Sequence, residues 1–124
     1  MKNAIATTKA PGAIGPYSQG IDAGTEVYCS GQLPIDAATG EMGKDIVEMT
    51  KNSLNNLKAI LEENGMTMDN VVKTTVFMTD LADFGAMNEV YASYFSAPFP
   101  ARSAVQVAAL PKGAAIEIEC IAKK

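Results

Sequence analysis

The sequence predicts an α+β sandwich, with two helices on one face of a sheet and the other face left to be covered by a partner. Three observations carry this reading. Strand-like runs bracket two helical stretches in the order β, ββ, α, β, α, ββ. Several of those strands are separated by short turns, which favours hairpins over long crossovers. The 124 residues, 48 % of them hydrophobic, fit one folded domain spanning 1–124. No third helix remains for the second sheet face, so oligomerisation is the economical way to cover it.

Lys2 to Thr7 reads as a short edge strand. A loop dense in glycine and proline follows, Ala10 to Gly20, with Tyr17 near its end. A tyrosine here is either a packing residue with its hydroxyl outward or a site residue at a loop mouth. Gln19 to Ala23 and Glu26 to Leu33 form a hairpin about Ala23-Gly24-Thr25. Gly31 lies inside the second strand, where a missing side chain signals close approach by backbone or ligand. Pro34 to Lys44 is a polar loop. Asp45 to Asn64 is the clearest helix, with Val47, Leu54, Leu57, Ile60 and Leu61 at helical spacing and Gly65 at its end.

The β-branched run Asn70 to Thr79 is a strand. Asp80 is a good N-cap for a second helix running to Phe95 or Ser96. Along it Phe84, Asn88, Tyr91 and Phe95 share a stripe, and the asparagine in its middle needs hydrogen-bond partners. Pro98 and Pro100 break the helix. Two strand-like runs then flank the turn Leu110-Pro111-Lys112-Gly113 and read as a closing hairpin.

Composition removes several function classes. Ten basic residues against fourteen acidic give a net charge of −4, with lysines scattered and no tryptophan. That opposes a nucleic-acid interface, which needs a basic stripe. The N-terminus lacks a signal-peptide core and no run reaches transmembrane length, so a cytoplasmic protein without a membrane partner is expected. The absence of histidine removes Ser-His-Asp and Cys-His catalysis and makes a zinc site untenable. Cys29 and Cys120 form no CxxC motif and read as packed, reduced thiols. The glycines match no nucleotide fingerprint.

What remains is concentrated in the last quarter. Arg102 is the only arginine, set in an apolar run. Burying a guanidinium requires an anionic partner, either a structural carboxylate or that of a substrate. Glu117 and Glu119 share one face of the final strand, either as surface ion pairs or with one of them holding a water as general base.

Several motifs stand in order: Gly15-Pro16-Tyr17-Ser18-Gln19, Ser30-Gly31-Gln32-Leu33-Pro34, Asn88-x-x-Tyr91, Pro98-x-Pro100-Ala101-Arg102-Ser103, Leu110-Pro111-Lys112 and Ile116-Glu117-Ile118-Glu119. Together they resemble the RidA/YjgF family of reactive-intermediate (2-iminobutanoate/2-iminopropanoate) deaminases over nearly the whole chain. The resemblance implies a chorismate-mutase-like fold with a mixed six-stranded sheet. It also implies a homotrimer with a barrel-like centre and sites between subunits.

The implied reaction is cofactor-free hydrolysis of 2-imino or 2-enamino acids, released by PLP-dependent serine and threonine dehydratases, to 2-oxo acids and ammonia. By position, Arg102 matches the carboxylate-binding arginine and Glu117 the glutamate that positions water. Tyr17, Ser30, Gly31 and Asn88 match the pocket lining, and in the mechanism expected here Glu117 or the Tyr17 hydroxyl assists proton transfer. Two residues after the arginine, where the enamine-deaminase branch often has cysteine, this chain has Ala104, which offers a backbone contact and no thiol. Two rival functions stand beside this one: a non-catalytic trimer sensing small carboxylates, and an RNA-cleaving translation inhibitor.

Overall fold

The computed structural model describes all of residues 1–124. Six strands form one mixed sheet: β1 (Asn3–Ile5), β2 (Gly20–Asp22), β3 (Glu26–Gln32), β4 (Val71–Met78), β5 (Ala101–Gln106) and β6 (Ile116–Lys123). Two helices, α1 (Ile46–Glu63) and α2 (Phe84–Ala92), pack on one face. The α+β class and the helix count are as the sequence predicts.

Helix α1 starts where Asp45 accepts a hydrogen bond from the Glu48 N–H, and ends before Gly65, whose φ is 72°. Leu54, Leu57, Ile60 and Leu61 are wholly buried against the sheet, together with Val27, Val76, Met78, Ile116 and Ile118. Val47, assigned to the same stripe, faces outward instead. Asn56 is buried in the helix and donates to the carbonyls of Leu33 and Ile35, pinning the polar loop after β3.

The second helix departs from expectation at both ends. Asp80 caps a separate 3-10 turn, Leu81–Asp83, and α2 stops at Ala92, short of Phe95. A side-chain cap satisfies whichever amides lie next to it, and cannot specify whether the turn continues as 3-10 or α.

The closing hairpin is not formed. Strand order is β1-β2-β3-β6-β4-β5: β6 lies antiparallel between β3 and β4, while β5 runs parallel to β4 at the edge. Residues 107–115 carry the chain past β4 and turn it at Pro111–Gly113, where Lys112 adopts φ 60°. An isolated two-stranded ribbon gains less than a strand inserted between two others, which pairs and buries on both edges. Cys29 and Cys120 are buried free thiols, directly opposed on β3 and β6.

Candidate active site

Two cavities gather the residues singled out above, one around Glu117 and one around Arg102. The first, of about 510 Å³, lies where β3, β6, the N-terminal loop and the Pro111 turn converge, and Tyr17, Ser30, Gly31, Lys112 and Glu117 line it. Between Cys29 and Gln32 the β3–β6 register slips, so Ser30 and Gly31 form an irregularity in the ladder. The Glu117 carboxylate lies in the space this opens. A Cβ added to Gly31 would overlap Glu117 Oε2 and stand 2.9 Å from its Cδ. The close approach signalled by this glycine is therefore made by a side chain of the same protein. Burial, and secondarily the charge of Glu119, raises the Glu117 pKa above the ordinary carboxylate value.

The loop bearing Tyr17 is tied down by Gln19, whose buried amide accepts from Thr7 N–H at 2.7 Å and donates to the carbonyls of Thr7 and Pro11. Ser30 Oγ donates to the Ser18 carbonyl at 2.6 Å. Ser30 thus holds the loop rather than presenting a free hydroxyl. Tyr17 itself is exposed at the cavity mouth.

The second cavity, of about 460 Å³, is lined by Asn88, Tyr91, Ala92, Phe99, Pro100 and Arg102. Arg102 is exposed, contrary to the buried placement its apolar neighbours suggest. Its Nη1 donates to Asn88 Oδ1 at 2.7 Å, and its Cζ lies 4.9 Å from the Tyr91 ring centroid and 5.3 Å from that of Phe84. No carboxylate pairs with it, since the chain's one ion pair joins Lys124 to Asp22. The stripe Phe84, Asn88 and Tyr91 is therefore the bed of the arginine, and Asn88 finds its partner there.

The two cavities open on opposite sides of the sheet. Arg102 is paired with Thr74, whose side chain is buried beneath α2, whereas Glu117 is paired with Phe77, one residue out of phase with buried Val76 and Met78. Arg102 and Glu117 of one chain do not meet. Ala104 packs its methyl against the core and lines neither cavity. Sequence reasoning missed Lys112 and Phe99, the first because only its backbone conformation places it at the rim. No group of three or more metal-ligating side chains gathers anywhere in the chain, and no helix is long and apolar enough to cross a membrane.

Comparison with known proteins decides the family. The family model described as Endoribonuclease L-PSP matches residues 7–124. The chain belongs to the endoribonuclease L-PSP family. Within it, the chain is 54 % identical to a RutC family protein of Pyrococcus abyssi, covering 99 % of this chain and 98 % of the relative. It is 50 % identical to the 2-iminobutanoate/2-iminopropanoate deaminase of Salmonella typhimurium, covering 98 % of each. The crystal structure of Escherichia coli TdcF with bound serine superposes with a TM-score of 0.95 at 48 % identity over 98 % of both chains. The RidA/YjgF resemblance carried by the motifs agrees with these relatives, and so do the α+β class and the mixed six-stranded sheet.

Proposed function

We propose that this member of the L-PSP family hydrolyses 2-imino and 2-enamino acids to 2-oxo acids and ammonia. Its working unit is a homotrimer of chorismate-mutase-like subunits, whose sites join the Arg102 side of one subunit to the Glu117 side of the next. The observation that carries the reading is the state of Arg102. Its guanidinium is held by a neutral amide and two aromatic faces, uses one N–H on Asn88 and meets no protein carboxylate. A planar fork with its charge unspent is suited to a ligand carboxylate. Serine, the ligand bound in the crystal structure of Escherichia coli TdcF, is a small carboxylate of this kind.

In this reading Arg102 fixes the substrate carboxylate, and the edge of β5 near Ala104 offers backbone groups beside it. Glu117 of the adjoining subunit orients a water at the iminium carbon and takes a proton as the C–O bond forms. The raised pKa makes the ionised Glu117 a stronger base than an ordinary carboxylate. Proton transfer to nitrogen, by Glu117 or the Tyr17 hydroxyl, lets ammonia leave as the carbinolamine becomes the oxo acid. Imines hydrolyse in water unaided, so orientation and one base are sufficient.

The test couples a threonine dehydratase to the protein and follows the imine trapped as its semicarbazone. Wild type should shorten imine lifetime, while Arg102→Ala and Glu117→Gln should not. Mixing the two inactive variants should restore activity at about a quarter of the clefts if each site draws on two subunits. Equal imine decay with wild type and Arg102→Ala would remove the assignment. Ligand binding without turnover in the wild type would favour the carboxylate-sensing reading, because binding needs Arg102 and not Glu117. The family description also carries a ribonuclease label, against which stand the acidic composition and absence of histidine.

A further inference from the structure

The Arg102 bed contains a buried polar pair that the proposed chemistry leaves unused. Tyr91 is 5 % exposed and Thr74 wholly buried, and Tyr91 Oη lies 2.7 Å from Thr74 Oγ1. Thr74 is also the register partner of Arg102 across β4 and β5. The Tyr91 ring is further braced by Phe95, with centroids 4.7 Å apart at 41°. One end of the ring is thus hydrogen-bonded to the strand beside the arginine, and the Arg102 guanidinium lies over its face.

From this geometry we infer that Tyr91 and Thr74 are positioning residues for Arg102, their hydroxyl pair fixing the aromatic surface that holds the guanidinium extended before ligand arrives. A long, exposed side chain free to sample its rotamers must be ordered when it binds, at a cost to affinity. Here the ordering is done in advance by neutral groups. A carboxylate in the place of Asn88 would also order the arginine, but would compete with the ligand for its charge. Tyr91 stays a phenol, because burial raises its pKa above the ordinary value, and so remains able to bond with Thr74.

The inference rests on the reading of Arg102 as a carboxylate anchor, and its test is separable from that reading because Arg102 is the chain's only arginine. Its Nε–H gives a single unambiguous NMR signal in the unliganded protein. The order parameter of that bond should approach the rigid-backbone value of about 0.85, and should fall below about 0.6 in Tyr91→Leu. Tyr91→Phe and Thr74→Val, each removing half of the hydroxyl pair, should lower it partway.

In parallel, calorimetric titration with 2-oxobutanoate should show affinity falling about three- to tenfold in Tyr91→Phe, the equivalent of ordering one long side chain. Thr74→Val should match it, and the double variant should be no worse than either single. In turnover the loss should appear in KM with kcat nearly unchanged, as for uniform binding. A mobile Arg102 in the wild type, an unchanged order parameter in well-folded Tyr91→Phe, or additive losses in the double variant would each overturn the inference. If Thr74→Val fails to fold, the Tyr91→Phe and Tyr91→Leu order parameters decide alone. Absence of wild-type turnover would defeat the deaminase reading and leave the order-parameter result standing.

Discussion

Replacing Gly31 by alanine tests the placement of Glu117 with a single methyl group. The new Cβ would overlap Glu117 Oε2 and come within 3.1 Å of Cγ. The obstructing atoms are the end of a flexible side chain, so the glutamate can swing aside. The fold should then lose only about 1 kcal/mol, the lower end for overpacking. Catalysis has no such freedom. Moving the carboxylate by about 1 Å from a water it must orient costs about 100-fold in rate, or about 2.7 kcal/mol of barrier.

The assay is semicarbazone-trapped imine hydrolysis, alongside chemical denaturation of the same samples. Gly31→Ala should show a large drop in kcat/KM with a small change in stability. In a Glu117→Gln background it should cost almost nothing more, since the group it displaces is already disabled. Wild-type kcat/KM in Gly31→Ala, or full additivity with Glu117→Gln, would refute the reasoning.

Glu117 must be ionised to act as base, so kcat/KM should fall as pH drops through its raised pKa; Glu119→Gln removes the secondary cause and should move that acid limb to lower pH. An unmoved limb would show that Glu119 does not reach the site. Asp22 is held at a pKa of about 2, first by its hydrogen bond to Lys124 and then by Gly24 N–H and Asn64. Its contribution is fully present above pH 3.8 and lost as pH falls towards 2, so Asp22→Asn should lower stability at neutral pH and flatten the acid-unfolding profile across that window. Gln19→Ala deletes the buried amide that ties down the N-terminal loop and should cost about 2–4 kcal/mol in denaturant unfolding, several hydrogen bonds at about 1 kcal/mol each. A loss below 0.5 kcal/mol, on the order of a surface change, would mean the loop is held by something else.

How far the sequence reveals this protein depends on the range of the signal. Helix α1 was legible because its cap, its apolar stripe and Gly65 are local. The stripe on α2 was legible as a pattern, and its polar member Asn88 does find a hydrogen-bond partner, yet nothing in the spacing says that this is an arginine fourteen residues later. The closing hairpin failed because neighbouring strands joined by a turn pair with each other only when no better partner exists. Here β3 and β4 both lacked a neighbour, and β6 satisfied both. Alternation along β6 correctly put Glu117 and Glu119 on one face, but the face carrying Arg102 depends on its pairing with β4. Lys112 reaches the Glu117 cavity through a left-handed backbone that its sequence does not advertise.

The position of β6 has a consequence for how the molecule is made. The central strand of the sheet is translated after all the others, so until Ile116 and its successors emerge β3 and β4 face a gap. Without β6 the half-sheets β1-β2-β3 and β4-β5 would share no ladder hydrogen bonds, and only the packing of α1 on α2 would join them. Glu117 arrives on the strand that closes this gap. In the proposed reaction the strand that completes the core also carries the base, so a chain lacking it would be both unzipped and chemically silent.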